Sequence, residues 1–163
     1  MKLYIRQKVF SIGAKFGITD EYEEIRYRVE GEVFTLAPKL HVFDAAGNEV
    51  AFVQRKLFSL MPRFHVYVDG VQIAEIVKEL TFLKPRYDIF GKGWTVEGDF
   101  LAHDYNIMSG GDVIARVHKV WMSWGDSFEL DICDTDDEIG LIAVILAIDA
   151  VMDAGNSSAA ASS

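Results

Sequence analysis

Apolar and polar residues alternate along most of this chain. The pattern is clear in Ile25-Arg-Tyr-Arg-Val29, Leu40-His-Val-Phe43, Val71-Gln-Ile-Ala-Glu-Ile76 and Phe128-Glu-Leu-Asp-Ile132, and it has the two-residue period of strands that bury one face. Turn chemistry separates them at Ala46-Gly47-Asn48, Asp69-Gly70, Gly91-Lys92-Gly93 and Ser109-Gly110-Gly111. Counting such segments predicts about twelve strands, and a sheet of that size curls or closes on itself, which removes its exposed edges. The alternation ends at Ile139-Gly-Leu-Ile-Ala-Val-Ile-Leu-Ala-Ile148, a run with no polar face before Asp149. Asp134, Thr135, Asp136, Asp137 and Glu138 precede it with caps and first-turn acids. A helix over about 136–152 is therefore expected, apolar all round and so buried. Its apolar run is well short of the roughly 20 residues that cross a bilayer. The pattern predicts a mainly β fold, a closed antiparallel barrel around a central C-terminal hydrophobic helix.

The chain repeats internally, a sign sought before others. Gly47-Asn-Glu-Val-Ala51, Arg55 and Pro62-Arg63-Phe64-His-Val66 recur 23 positions later as Gly70-Val-Gln-Ile-Ala74, Lys78 and Pro85-Arg86-Tyr87-Asp-Ile89. Gly111-Asp-Val-Ile-Ala115, Lys119 and Phe128-Glu-Leu130 form a third copy, and Val29-Glu30-Gly31 answers Val96-Glu97-Gly98. Two related halves, roughly 2–69 and 71–133, follow without a linker, so residues 1–154 are expected to be one domain. Residues 155–163, with nothing in their composition to pack, are expected to be a disordered tail. Ala51, Ala74 and Ala115 should occupy equivalent inward or sterically tight positions, with Arg55, Lys78 and Lys119 at equivalent sites further along their strands.

Half of the 163 residues are hydrophobic, enough for a sizeable core. The net charge of −9 argues against nucleic acid as a partner. A single cysteine, Cys133, excludes an internal disulfide and suits a reducing compartment. Met1 leads straight into a strand pattern without signal-peptide features, so a cytoplasmic location is expected, peripheral to a membrane if the chain binds one.

The hairpins Gly70-Val-Gln-Ile-Ala-Glu-Ile-Val-Lys78 and Gly111-Asp-Val-Ile-Ala-Arg-Val-His-Lys119 resemble those of the LURP-one-related family. So does the ending Trp124-Gly-Asp-Ser-Phe-Glu-Leu-Asp-Ile132 followed by acids and the apolar helix. That family is part of the tubby-like group, which also includes phospholipid scramblases, and the resemblance covers nearly all of 2–153. It implies a twelve-stranded barrel around a C-terminal helix. It also implies phosphoinositide headgroup binding through basic side chains, as in tubby relatives, although no matching cluster of adjacent cations is present. Scramblase relatives further suggest a calcium-responsive acidic segment beside the helix. Here Asp131, Asp134, Asp136 and Asp137 would be its ligands, without the ordered spacing of a calcium loop. Helix capping is the competing role for these carboxylates.

Catalytic constellations are missing: there is no Gly-x-Ser-x-Gly, no phosphate-binding glycine loop before a helix and no His-Glu-x-x-His. His41, His65, His103 and His118 stand singly and are expected to be solvated or hydrogen-bonded. Cys133, among acids, is expected to be an inert, half-buried thiol. A non-enzymatic chain without cofactors follows.

An up-and-down barrel separates its turns into two ends. Even-to-odd turns carry Asp20, Glu21, Glu23, Glu24, Asp44, Glu49, Asp69 and Asp112, relieved by Lys92. Odd-to-even turns carry Lys15, Lys39, Arg63, Lys84 and Arg86, with Asp99, Asp104 and Asp126 as exceptions. The basic end is also apolar: Phe10-Ser-Ile12, Phe58-Ser-Leu60-Met61-Pro62, Phe82-Leu83-Lys-Pro85 and Trp121-Met-Ser-Trp124. These tips are expected mainly to fold inward and plug the barrel mouth. Any that reach solvent, Leu60, Met61, Leu83 and Trp124 among them, would suit an anionic membrane surface. The leading expectation is a binding or scaffold module for anionic phospholipid or a membrane-associated protein, using Lys15, Arg63, Lys84 and Arg86. The alternatives are a soluble protein-interaction module without lipid binding and a calcium-responsive, scramblase-like protein.

Overall fold

The computed structural model describes residues 1–6, 15–32, 36–79, 81–82, 86–122, 125–133 and 135–161. Twelve strands follow one another: β1 (Lys2–Arg6), β2 (Lys15–Thr19), β3 (Ile25–Glu32), β4 (Lys39–Asp44), β5 (Glu49–Arg55), β6 (Arg63–Val68), β7 (Val71–Glu79), β8 (Arg86–Phe90), β9 (Trp94–Asp99), β10 (Asp104–Ser109), β11 (Asp112–Met122) and β12 (Gly125–Ile132). Their order in the sheet is β8-β7-β6-β5-β4-β3-β2-β1-β12-β11-β10-β9, with all neighbours antiparallel. The first and last strands meet through Leu3↔Leu130 and Ile5↔Phe128. Tight turns at Asp69-Gly70 and Gly110-Gly111 have positive φ at both residues, which matches the twist of the strands they join. The expected strand number and up-and-down order hold. Closure is incomplete: β8 and β9, the two ends of the sheet, come together without a hydrogen-bonded ladder.

A 3-10 turn, Thr135–Asp137, leads into helix α1 (Glu138–Ala161). Leu141, Ile142, Val144, Leu146 and Ile148 are fully buried and Ile145 almost so, as an apolar run without a polar face requires. Each such side chain contributes about 1.5–3 kcal/mol over leaving it in water. The helix lies closest to β5, β6 and β7, where its glycines leave room for side chains of β7. A Cβ on Gly140 would lie 3.3 Å from Ile73 of β7, and one on Gly155 would lie 2.7 Å from Lys78 Nζ. Ala51, Ala74 and Ala115 are buried at corresponding positions of β5, β7 and β11, as the repeat predicts.

Residues 155–161 correct an expectation: they continue the helix. Ala154 and Gly155 are still buried, so packing carries the helix past the apolar run. Ala159, Ala160 and Ala161 are strong helix formers. At about 1.5 Å per residue the helix is about 36 Å long. It enters at the end of the barrel that holds the even-to-odd turns and runs to the opposite mouth. Among the described residues, no helix is long and apolar enough to cross a membrane.

Candidate functional site

The antiparallel order brings all odd-to-even turns to one end, with Leu36 before β4, Phe58 and Leu60 before β6, Phe82 before β8, Leu101 before β10 and Trp121 at the end of β11. All six side chains are exposed, Phe58 and Phe82 completely and Leu60 to 93%. Met61 is half-buried. Leu83, Trp124 and Phe10–Ile12 lie outside the described residues. The inward plug is therefore overturned for Phe58, Leu60, Phe82 and Trp121. The helix occupies the mouth that these side chains were expected to fill. Phe58 takes a φ of 58°, a left-handed conformation that bulky residues avoid unless a tight turn imposes it. These six share one end, while Tyr22, Ile25, Val71 and Phe90 are exposed toward the other end, to a smaller degree than Phe58, Leu60 and Phe82.

The cations at this end are engaged with acids of neighbouring strands. Lys15 Nζ lies 3.0 Å from Glu30, its direct cross-strand partner. Arg86 Nε is 3.5 Å from Glu79, again directly opposite. Arg63 Nη1 is 2.8 Å from Glu75, and its buried Nε has no partner among the described residues. Lys84 lies outside the described residues. Lys56, in the same turn as Phe58 and Leu60, is exposed and was not among the residues expected to act there. The paired lysine and Arg86 are largely exposed, so these pairs are worth only about 0–1 kcal/mol and can exchange partners.

The opposite end carries acid. Glu21, Glu23 and Glu24 are exposed and Asp20 is half-buried, its Oδ1 accepting the backbone N–H of Tyr22 and Glu24. Asp137, at the start of the helix, pairs with Lys92, which also sits 5.2 Å over the Trp94 ring. Glu138 accepts the Tyr27 hydroxyl at 2.7 Å. Burial, then this bond to a carboxylate, raises the Tyr27 hydroxyl well above its ordinary value. Asp131 is 3.4 Å from Arg116, Asp136 is exposed and Asp134 lies outside the described residues. No group of three His, Cys, Asp or Glu side chains able to hold a metal occurs among the described residues. The positions of Asp137 and Glu138 fit helix anchoring, with carboxylates at the positive end of the helix. Cys133 departs from expectation: it is exposed and lies 3.1 Å from the Arg116 guanidinium, because the strand has ended and no element covers it.

One polar residue inside the barrel went unread. Asp149 is buried, its Oδ1 3.2 Å from His103 Nε2, and its Oδ2 has no partner among the described residues. Burial raises its carboxyl above the ordinary range, against the opposing bond from His103. His103, with φ of 52°, lies in the turn that carries Leu101 and packs on the Phe128 ring at 4.7 Å. Tyr87 is pushed up to about 12 by burial and then by the Asp149 charge. The only sequence signal was an acid interrupting an apolar run.

The chain matches the model of the LURP-one-related family over residues 1–149. It is 34% identical over 152 residues to the uncharacterized protein YxjI of Bacillus subtilis, covering 93% of this chain and 94% of that one. The X-ray structure of the Arabidopsis thaliana protein AT5G01750 superposes with a TM-score of 0.57 at 17% identity, covering 89% of each chain. That likeness is one of fold, the same architecture of barrel and helix. With the family model spanning most of its length, this chain belongs to the LURP-one-related family.

Proposed function

We propose that this protein is a non-enzymatic binding module whose apolar-tipped, basic end docks on membranes containing anionic phospholipid. The observation that carries the reading is the exposure of Leu36, Phe58, Leu60, Phe82, Leu101 and Trp121 on one end of the barrel. Each tip transferred from water gains up to about 1.5–3 kcal/mol if fully buried. Each basic residue near an anionic surface adds roughly 1 kcal/mol, screened by salt. The apolar term is the larger; Lys15, Arg63, Arg86 and Lys84 supply the charge, which for Lys15, Arg63 and Arg86 is partly shared with neighbouring acids. Acids gathered at the far end keep most of the −9 charge away from the surface, so the molecule is oriented end-on.

Co-sedimentation with phosphatidylcholine vesicles, with and without phosphatidylserine, tests this. Binding should be stronger to the anionic vesicles and should fall, without vanishing, between low and high salt. The double variant Arg63→Glu, Arg86→Glu should bind anionic vesicles about tenfold or more weakly while keeping the thermal transition of the parent. If the parent binds neither vesicle at low salt, the reading fails and a soluble protein-interaction module takes its place.

A further inference from the structure

The seam between β8 and β9 breaks the ring of hydrogen bonds. β8 has a ladder with β7 only and β9 with β10 only, so among the described residues each strand leaves one edge of N–H and C=O groups without a strand partner. Buried or half-buried backbone groups are nearly always paired, and an open edge is a template for another strand. The two strands are consecutive and share a three-residue turn, which would ordinarily zip into a hairpin. Side chains hold them instead: Tyr87 of β8 meets Phe100 edge-on at 4.8 Å, and Lys92 is drawn to Asp137 and Trp94. Gly91, at φ of 110°, lies so close to β7 that a Cβ would be 2.6 Å from the Ile73 carbonyl oxygen.

A groove of about 260 Å³ runs between the edges, walled by residues of both strands and by Phe100. Its inner face is apolar, with Tyr87, Ile89 and Trp94 buried and Val96 half-buried. This volume is below the ~300–1,000 Å³ of small-molecule pockets. It has room for a few side chains, set between two backbone edges. On the outer face Glu79 and Asp88 are diagonal cross-strand neighbours, and the nearby Asp88 carboxyl raises Glu79 above its ordinary value. Arg86 is the cation near them, 3.5 Å away at Nε, and Glu97 of β9 is exposed as well.

We infer that this seam is a strand-addition site for an extended segment of a partner protein, one with alternating apolar side chains and a lysine or arginine on its outer face. The unpaired edges supply backbone hydrogen bonds, the groove takes the apolar side chains, and the Glu79–Asp88 pair meets the cation. This is the logic of recognition by strand addition, with affinity from the backbone and specificity from alternate side chains. The inference does not depend on membrane docking, because the seam lies in the wall of the barrel.

Hydrogen exchange on the full chain tests it, with the capped peptide acetyl-Val-Thr-Val-Lys-Val-Thr-Val-amide as probe. At about ten times its Kd the probe should slow exchange of amides in 86–90 or 94–99 about tenfold, leaving β2 and β3 unchanged. Probes N-methylated at the valines, or at the threonines and lysine, separate the two edges of the added strand. Loss of protection with one series assigns pairing to a single edge, and loss with both assigns insertion between the two. Asp88→Lys should weaken this probe and favour one with glutamate in place of its lysine. The inference is overturned if 1 mM peptide leaves 86–99 unchanged, or if both N-methylated series protect as well as the parent. It is also overturned if protein concentration alone protects the seam, which would assign it to a second copy of this chain.

Discussion

The two ends of the barrel use the same turn-rich architecture for opposite purposes. At the acidic end, three carboxylates anchor local structure, Asp137 on Lys92, Glu138 on Tyr27, and Asp20 on its own turn, while Glu21, Glu23 and Glu24 stay exposed. The helix begins there and is fastened to β3 and to the β8–β9 turn. At the other end the helix runs through the mouth, and the turns hold their apolar side chains out in water. One end spends its polar groups on structure. The other carries the most fully exposed apolar side chains, Phe58, Leu60 and Phe82 among them, and surplus of that kind is where a binding surface is sought.

The largest effect expected is a control that spoils both ends together. Ile145 lies deep in the barrel and is buried on every side. Ile145→Asp puts an unpaired carboxylate there and should cost several kcal/mol, enough to abolish the cooperative transition in urea. An Ile145→Asp chain that still unfolds cooperatively near the parent midpoint would break the picture of a helix enclosed by strands.

A smaller effect separates the ends by pH. Asp149 lies beneath the turn that carries Leu101, facing His103, Tyr87, Tyr105 and Asp153. Burial raises its folded-state carboxyl above the ordinary 3.8. The folded protein therefore holds this proton more tightly than the unfolded chain. The contribution is fully present below 3.8 and is lost as pH rises through the raised folded value. Asp153 is raised by burial too and acts in the same direction. Asp149→Leu should flatten that part of the stability profile and gain about 1–3 kcal/mol at neutral pH by removing an unpartnered buried oxygen. His103 is left with solvent contact. Denaturation midpoints of parent and variant from pH 4 to 8 check it, and an unchanged slope would contradict it.

Smaller still is the fastening at the acidic end. Lys92→Ala removes one partly exposed ion pair and should cost about 0.5–1 kcal/mol, read as a shift in midpoint without a change in vesicle binding. A loss of binding in Lys92→Ala would show that the ends are not independent.

Much of this was legible in the sequence because its causes are local. Alternation and glycine turns give the strands, and an apolar run with no polar face gives the enclosed helix. Three features depend on three-dimensional neighbours and were not legible. Alternation does not govern turns, so the outward direction of Phe58 and Phe82 had no signature. Pairing of Lys15 with Glu30 and of Arg86 with Glu79 is set by register, which the sequence leaves open. The β8–β9 connection reads like any other hairpin, and its missing ladder, with the Tyr87–Phe100 contact and the close approach of Gly91 to β7, shows only in three dimensions. The helix continued beyond its apolar run because residues 154 and 155 pack although they are small.

The central claim is that the apolar tips drive docking. Binding of the parent and of the triple variant Phe58→Ser, Leu60→Ser, Phe82→Ser to phosphatidylserine-containing vesicles, at low and at high salt, tests it most directly. The account predicts that the parent keeps a substantial part of its binding at high salt. The triple variant should lose about 100-fold or more at both salt concentrations, with its thermal transition unchanged because these side chains touch little of the core. Equal binding by the parent and the triple variant would contradict the account, and so would parent binding that high salt abolishes.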